Sequence, residues 1–195
     1  MRSESLGTAF APARMDVSGN IDVRGTPPSC VPKPDARLAQ RLAARVAADP
    51  TASAKLFDVV RAEVDAGTAS GSKSCTKGLL WLKRFLDFTV RILERLVRDP
   101  ALELGAAASA AYDAALRPYH GYLTCALFRV VLHAAPYRST FEAALVQQGA
   151  AAGPEQPDSE QLREHMARFV DQFSPLLSRI HVFLSDAGQD DPTPV

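Results

Sequence analysis

The stretch from Ala111 to Leu145, AYDAALRPYHGYLTCALFRVVLHAAPYRSTFEAAL, carries the strongest information about the fold. Its apolar residues recur at intervals of three and four, the spacing of one face of an α-helix. We predict a helix from about Ala106 to His133, because Ala135-Pro136 cannot continue it. Four residues fall on one face of this helix: Leu116, His120, Leu123 and Leu127. That face would turn His120 inward.

Helical spacing continues on both sides of this stretch, so we predict an all-α fold. The other predicted helices cover Ala13–Ile21, Asp35–Asp49, Ser53–Val64, Thr76–Val97, Ser139–Gln148 and Asp158–Ser185. Two of their starts have the spacing of a capping box, Ser139 with Glu142 and Asp158 with Gln161. In the third helix along the chain, the residues expected to face inward are Leu56, Val59, Val60 and Val64.

Three segments interrupt or end the helical pattern. Gly25–Pro34 contains four prolines and is predicted to be a loop, with Asp35 capping the helix that follows. Gly67–Ser74, GTASGSKS, has the composition of a flexible linker. Residues 186–195 are polar and predicted to be disordered. Because no boundary between larger segments is visible, residues 1–195 are predicted to form a single domain.

Composition narrows the class of partner. The 22 basic residues balance the 22 acidic ones, which argues against nucleic acid and against polybasic attraction to membranes. Any membrane contact is then expected to be apolar, local and transient. Cys30, Cys75 and Cys125 lack metal-ligand spacing and fit a reducing compartment. With neither a signal sequence nor a run of about 18 apolar residues, we expect a cytosolic monomer that is peripheral at membranes.

Motifs that would mark an enzyme are not found in the sequence. It contains no GxSxG, no HExxH, no phosphate-binding P-loop and no GxGxxG that opens a helix after a strand. His165 and His181 have no partner at metal-ligand spacing. We therefore predict no catalytic residues, no metal and no cofactor.

Four polar or aromatic residues stand out, and each has a structural and a functional interpretation. Trp81 is the only tryptophan, and a lone tryptophan on an apolar helix usually packs in the core, although its face can also stack on a sugar ring. His120 is either a satisfied core histidine or a hydrogen-bonding group in an apolar pocket. Asp16 and Asn20, at i and i+4, either form a solvated face or pair with the adjacent hydroxyls of a sugar.

Four stretches together resemble the glycolipid transfer protein family. They are FAPARMDVSGNI (Phe10–Ile21), GLLWLKRFLDF (Gly78–Phe88), the Ala111–Leu145 stretch and the closing helix from Leu162. The third is the most specific, because its Tyr-His-Gly-aromatic start and its Ala-Pro-Tyr stop follow the order and spacing of the family. The resemblance implies an all-α, two-layer helical sandwich that carries a sphingolipid between membranes without covalent chemistry.

The resemblance also implies a binding site. Asp16 and Asn20 match the acidic and amide headgroup ligands of the family, Trp81 matches the tryptophan on which the sugar stacks, and His120 matches the histidine that binds the ceramide amide region. Four residues match positions that line the lipid chains: Phe88, Leu116, Leu123 and Phe128. A stacking tryptophan favours a glycosylated ligand such as glycosylceramide, since a phosphate headgroup needs charge-assisted donors instead.

Departures from the family pattern leave alternatives open. The basic ligand of the family falls here on Val23, so either Arg24 or Arg41 would take its role, depending on where a proline-rich insertion at about 24–36 lies. The first helix of the family is expected to be missing, which would leave the apolar face that it covers exposed. The tail DDPTPV has no tyrosine. Ceramide-1-phosphate transfer, or a sphingolipid sensor or scaffold that does not transfer its ligand, is the alternative function.

Overall fold

The computed structural model describes residues 33–51, 53, 55–150 and 157–193. Their helices are α1 (Lys33–Ala48), α2 (Leu56–Asp65), α3 (Cys75–Arg98), α4 (Leu104–Ala115), α5 (Tyr122–His133), α6 (Arg138–Ala150) and α7 (Ser159–Asp186), with a 3₁₀ turn at Arg117–Tyr119. The all-α prediction is confirmed. The predicted helix Ala13–Ile21 lies outside the described residues.

The chain divides into two compact units. Of the described residues, those up to 82 together with 183–190 form the first, and those from 83 to 182 together with 191–193 form the second. Helices α3 and α7 each contribute residues to both units. The prediction of a single domain stays a prediction.

The first unit is built around a small apolar cluster and a buried acid. Leu38, Val59 and Cys75 form the cluster, and the rings of Phe57 and Phe183 stack with centroids 3.9 Å apart. The inward positions of α2 differ from the prediction in one respect, because Glu63 is only 2% exposed whereas Val64 is half-buried. Sequence spacing alone does not anticipate a buried carboxylate, since burying a charge requires partners from elsewhere in the fold.

Glu63 obtains those partners from the start of α3. Its carboxylate accepts hydrogen bonds from the backbone N–H groups of Cys75 at 3.0 Å and Thr76 at 2.8 Å, and from the Thr76 hydroxyl at 2.7 Å. Arg45 donates to it at 2.9 Å. Burial by itself raises the pKa of Glu63, but the hydrogen bonds and the Arg45 charge outweigh burial and lower the pKa below its ordinary value. Glu63 therefore caps α3 as an anion.

The contacts that stabilise the second unit include those near the C-terminal end of α3. Leu96, Leu104 and Ala107 form one of the unit's buried clusters, against which Phe141 packs. Arg138 donates to the carbonyl of Leu96 at 3.0 Å and to that of Asp99 at 2.7 Å. Carbonyls at the end of a helix have no partner within it, so a guanidinium satisfies several of them at once.

The helix predicted from Ala106 to His133 is wrong as a single element. The structure ends α4 at Ala115, forms the 3₁₀ turn at Arg117–Tyr119 and starts α5 at Tyr122. Pro118 lies inside the predicted helix, where it lacks an N–H and clashes with the preceding turn, and Gly121 adopts an extended conformation as the N-cap of α5. The apolar spacing continues across this break, so periodicity does not detect it.

Two segments predicted to be flexible or disordered are hydrogen-bonded. In Gly67–Ser74, the left-handed Gly67 ends α2, its N–H bonds to Val64 O and the N–H of Thr68 bonds to Glu63 O. Gly188 repeats the arrangement after α7, where the N–H of Gln189 bonds to Leu184 O at 2.7 Å. Both are Schellman caps, in which glycine tolerates the positive φ that the cap requires. The predicted linker is therefore an ordered turn, and the C-terminal segment begins with a hydrogen-bonded helix cap at residues 187–189; the predicted disorder of residues 186–195 stays a prediction.

The predicted helix starts have mixed outcomes. The capping box of Asp158 and Gln161 is confirmed by reciprocal bonds, Gln161 N to Asp158 Oδ1 at 2.8 Å and Asp158 N to Gln161 Oε1 at 3.1 Å. The box at Ser139 is wrong, because α6 begins at Arg138, whose guanidinium binds Glu142 at 2.7 Å. The predicted cap at Asp35 is also wrong, since α1 begins at Lys33 and includes Pro34, which a first helical turn tolerates.

Candidate functional site

The break between α4 and α5 determines where His120 lies. His120 ends the 3₁₀ turn with φ −105° and ψ 130°, and its N–H bonds to Arg117 O at 3.2 Å. It is therefore not part of a helix, and the predicted helical face does not exist: Leu116 is 4% exposed, whereas Leu123 and Leu127 are 72% and 60% exposed. His120 is nevertheless half-buried, because side chains outside that predicted face contact it.

Aromatic rings surround the imidazole of His120. The hydroxyl of Tyr112 lies 3.1 Å from Nδ1, and the ring of Phe128 lies 4.9 Å from the imidazole centroid. Tyr112 and Phe128 stack on each other, with centroids 4.9 Å apart and planes at 10°. The thiol of Cys125 donates to the backbone carbonyl of His120 at 3.4 Å. The imidazole thus presents a polar group at the edge of an aromatic cluster.

These surroundings perturb the acid–base behaviour of the cluster. Burial lowers the pKa of His120, and the nearby charge of Arg84 lowers it further. Burial also raises the pKa of Tyr112, and the side-chain contact with Cys125 adds to that effect. At neutral pH the Tyr112 hydroxyl therefore keeps its proton, and the neutral form of His120 is favoured.

Arg84 is a buried cation beside this cluster. Its side chain is 3% exposed, and its guanidinium carbon lies 3.5 Å from the centre of the Tyr119 ring. It also donates a hydrogen bond to the backbone carbonyl of Asp191. Arg84 therefore contacts both the turn that carries His120 and the segment that follows α7.

Three of the four predicted chain-lining residues lie in one apolar cluster. Tyr112, Ala115 and Leu116 form its buried part, against which Phe88, Phe128 and Leu132 pack. Leu123 lies outside this cluster. The predicted contact of all four with lipid chains stays a prediction.

An apolar cleft of about 380 Å³ is present in the same unit. Its lining is mainly aliphatic and aromatic and includes Ile92, Leu93, Leu104, Val131, Leu132 and Phe141. Leu132 belongs both to this lining and to the apolar cluster around Tyr112. A second cleft, of about 440 Å³, is lined by Lys83, Asp87, Arg91 and Glu94 together with the hydroxyls of α7. The aliphatic cleft is the one suited to hydrocarbon.

Helix α5 also exposes an apolar stripe. Tyr122 is 93% exposed, and the other members of the stripe are 60% to 72% exposed: Leu123, Leu127, Val130 and Val131. Leu123, Leu127 and Val131 follow one another at intervals of four, so they lie along one side of the helix. A continuous apolar stripe of this kind marks an interaction surface more often than isolated exposed residues do.

The other predicted headgroup residues lie on α1 and α3 or outside the described residues. Trp81 lies on α3, half-buried, and belongs to the first unit. Arg41 lies on α1 and donates to Ser74 O at 3.0 Å. Asp16, Asn20 and Arg24 lie outside the described residues. The convergence of these side chains with His120 stays a prediction.

Sequence reasoning missed two residues that contact the surroundings of His120. Tyr112 stands in an alanine-rich helix eight positions earlier, and only the turn brings its hydroxyl to the imidazole. Arg84 follows Lys83 on a helix, where adjacent basic residues usually indicate a solvated face.

Among the described residues, no group of three His, Cys, Asp or Glu side chains could hold a metal, and no helix is long and apolar enough to cross a bilayer.

Comparison with known proteins identifies related sequences. The sequence profile described as Glycolipid transfer protein (GLTP) matches residues 36–147. Glycolipid transfer protein of Danio rerio is 30% identical over 195 residues, which covers 96% of this chain and 81% of that protein. Glycolipid transfer protein 1 of Arabidopsis thaliana is 29% identical over 188 residues, 96% of this chain and 79% of that protein.

Solved structures share the fold. A structure described as showing how FAPP2 selects simple glycosphingolipids using the GLTP-fold has a TM-score of 0.75 at 21% identity and covers 94% of both chains. Human ceramide-1-phosphate transfer protein, in complex with 12:0 ceramide-1-phosphate, has a TM-score of 0.72 at 17% identity and covers 91% of this chain and 92% of that one. At these identities the likeness shows an all-α fold of the same type.

Proposed function

This chain belongs to the glycolipid transfer protein family, and from that premise we propose that it binds a sphingolipid and carries it between membranes without covalent chemistry. The observation that carries the proposal is His120, a hydrogen-bonding group held at the edge of an aromatic and aliphatic cluster. A sphingolipid presents the matching chemistry, an amide beside two hydrocarbon chains.

The hydrocarbon part of the ligand is assigned to the apolar cleft and the cluster beside it. The cleft of about 380 Å³ falls in the lower part of the range of small-molecule sites, so it holds part of a two-chain lipid. Each methylene that leaves water gains about 0.8 kcal/mol, which is why a two-chain lipid leaves a bilayer very slowly unaided. Phe88, Leu116 and Phe128 continue the apolar surface towards His120, and Leu123 is proposed to join them when lipid is bound.

We propose a glycosylated headgroup. Trp81 would offer the flat face on which a sugar stacks, while Asp16 and Asn20 would pair with its hydroxyls. A lipid without the sugar would leave those groups desolvated and unpaired, at a cost of about 1–3 kcal/mol for each. Either Arg24 or Arg41 would supply the basic contact. The relatives named glycolipid transfer protein support this choice.

Ceramide-1-phosphate is the second candidate, because one observation favours it. Arg84 is a buried guanidinium beside the turn that carries His120, and buried guanidinium groups suit phosphate. The likeness in fold to a ceramide-1-phosphate transfer protein is consistent with either ligand.

The exposed stripe on α5 is proposed to make the transient contact with the membrane. Tyr122 at its start combines an apolar ring with a hydroxyl, which is the chemistry of residues that settle at a membrane interface. The net charge of zero leaves apolar contact as the main attraction. The protein is proposed to act as a cytosolic monomer.

A vesicle-to-vesicle transfer assay tests the proposal. Donor vesicles carry glucosylceramide, galactosylceramide or ceramide-1-phosphate, and acceptor vesicles carry none. Faster transfer of either sugar lipid supports the glycolipid assignment, whereas faster transfer of ceramide-1-phosphate supports the second candidate. Binding of a sphingolipid without transfer would identify a sensor or scaffold, and no binding of any of the three would refute the proposal.

A further inference from the structure

The aliphatic cleft of the second unit has an open side and a closed end. Val131, which lines it, is 64% exposed, so the cleft opens beside α5. Three other lining residues belong to the apolar cluster around Leu96, which is 0% exposed, or pack against it: Ile92, Leu104 and Phe141. Because protein interiors are packed as densely as organic crystals, a hydrocarbon chain cannot extend past this cluster unless a lining side chain moves.

Phe141 has the largest side chain at the closed end. It lies in the first turn of α6, three residues after Arg138. Residues at this spacing lie on the same side of a helix, and both contact Leu96: the ring of Phe141 packs in its cluster, and Arg138 donates to its carbonyl at 3.0 Å. The position of the Phe141 ring therefore depends on where α6 starts.

Arg138 holds the start of α6 against the end of α3. Its guanidinium donates to three backbone carbonyls at the end of α3 and in the turn that follows: Leu96 O at 3.0 Å, Asp99 O at 2.7 Å and Leu102 O at 3.3 Å. Its backbone N–H donates to the carboxylate of Glu103, the N-cap residue of α4, at 3.1 Å. One side chain can bind several carbonyls in this way because a guanidinium carries its donors in a planar fork, which an ammonium lacks.

Little solvent competes with these contacts. The side chain of Arg138 is 12% exposed, and that of Glu142, which accepts from Arg138 Nε at 2.7 Å, is 24% exposed. Hydrogen bonds that involve a charged group are stronger than neutral ones, and a low local dielectric strengthens them further. The start of α6 is therefore fixed at the closed end of the cleft, and the ring of Phe141 with it.

We propose that Phe141 is a specificity-determining residue and Arg138 its positioning residue: together they set the closed end of the cleft and so the longest hydrocarbon chain that the protein accepts. That this chain belongs to a sphingolipid rests on the proposed function, whereas the position of the closed end does not. Each methylene that fits adds up to about a fourfold gain in affinity, so affinity should rise with chain length to a break point and not beyond it.

Glucosylceramides that differ only in acyl-chain length test the proposal in a vesicle-binding assay. Phe141→Ala should move the break point to longer chains, and Phe141→Trp should move it to shorter ones. The ratio of affinities for two chains on either side of the wild-type break point should change by about fourfold for each methylene gained or lost. A purely structural role would lower the affinity for all chains alike and leave the break point in place.

Arg138 variants test the positioning role. Arg138→Gln should move the break point to longer chains because the start of α6 is no longer held, and Arg138→Lys, which keeps the charge without the fork, should do the same. Arg98→Gln is the matched control: Arg98 lies at the same end of α3, is 75% exposed and pairs with Glu94, so the break point should not change. An unchanged break point in folded Arg138→Gln would overturn the positioning role.

The Phe141 variants keep Arg138, so their result stands even if an Arg138 variant does not fold. Unchanged break points in both Phe141→Ala and Phe141→Trp would overturn the proposal as a whole.

Titration with straight-chain fatty acids of increasing length separates this proposal from the proposed function. Fatty acids carry a hydrocarbon chain without the amide or the sugar, and NMR shifts of the Ile92 and Leu104 methyl groups report their entry into the cleft. A break point that moves with Phe141 in this series, without binding of any sphingolipid, would refute the proposed function and leave the closed end standing. Sphingolipid binding with one break point in every variant would do the reverse, and no binding in either series would refute both.

Discussion

Replacing the buried acid of α2 by its neutral isostere, Glu63→Gln, should destabilise the protein measurably. The wild-type carboxylate accepts from Cys75 N and Arg45 at Oε1, and from Thr76 N and Thr76 Oγ1 at Oε2. A glutamine has one accepting oxygen, so its amide NH₂ group must face donors at the other position. At least one buried donor then loses its partner.

The size of the effect follows from these contacts. A buried donor without a partner costs about 1–3 kcal/mol, and loss of a negative charge at a helix N-terminus adds about 0.3–1 kcal/mol. Arg45 is 44% exposed, so its ion pair adds little. The middle of the summed range is a loss of about 2.5 kcal/mol in the free energy of unfolding. For a chain of this length, that loss corresponds to a fall in Tm of about 8 °C.

The pH dependence gives a second readout of the same variant. The pKa of Glu63 is lowered in the folded protein from an ordinary value of 4.5, so its stabilising contribution is present above that pH and is lost as the pH falls through the lowered pKa. The difference in unfolding free energy between wild type and Glu63→Gln should therefore be constant near neutrality and shrink below about pH 4.5. Urea unfolding at several pH values measures it.

Glu94→Gln is the matched control. Glu94 also lies on a helix and pairs with an arginine, Arg98, at 2.7 Å, but both side chains are exposed. An exposed pair of this kind is worth about 0.3–0.5 kcal/mol, so Tm should change by less than about 2 °C. Equal melting temperatures for wild type and Glu63→Gln would refute the reasoning, because Glu63 would then not stabilise the start of α3.

Two further predictions concern the ligand and one concerns the membrane contact. Trp81→Ala should reduce transfer of glucosylceramide far more than it lowers Tm; a loss of about 3–5 kcal/mol in unfolding free energy would show instead that Trp81 is a core residue. Of Arg24→Ala and Arg41→Ala, one should weaken glycolipid binding in a vesicle-binding assay, and if neither does, the proposed basic contact is wrong. Tyr122→Ser should lower partitioning onto neutral vesicles without lowering Tm, since its side chain is 93% exposed; unchanged partitioning would exclude the α5 stripe as the membrane contact.

The sequence predicted well whatever depends on neighbours along the chain. The extent of α3, the end of α5 near His133 and the reciprocal cap of Asp158 and Gln161 all follow from helical spacing and from local hydrogen bonds. Membership of the family was also visible from the order of four motifs. The helix bounds and the cap depend on residues within a few positions of one another, and such interactions are encoded locally.

Tertiary structure decided the features that depend on distant partners. Apolar spacing runs through Pro118 and Gly121 without interruption, so only the folded chain shows that His120 leaves the helix and meets the hydroxyl of Tyr112. The burial of Glu63 and Arg84 also depends on partners that are distant in sequence. A charged side chain is expected at the surface until the fold brings enough donors or acceptors to satisfy it. The hydrogen-bond partners of Glu63 lie 12 to 18 residues away, and the carbonyl that Arg84 binds lies 107 residues away.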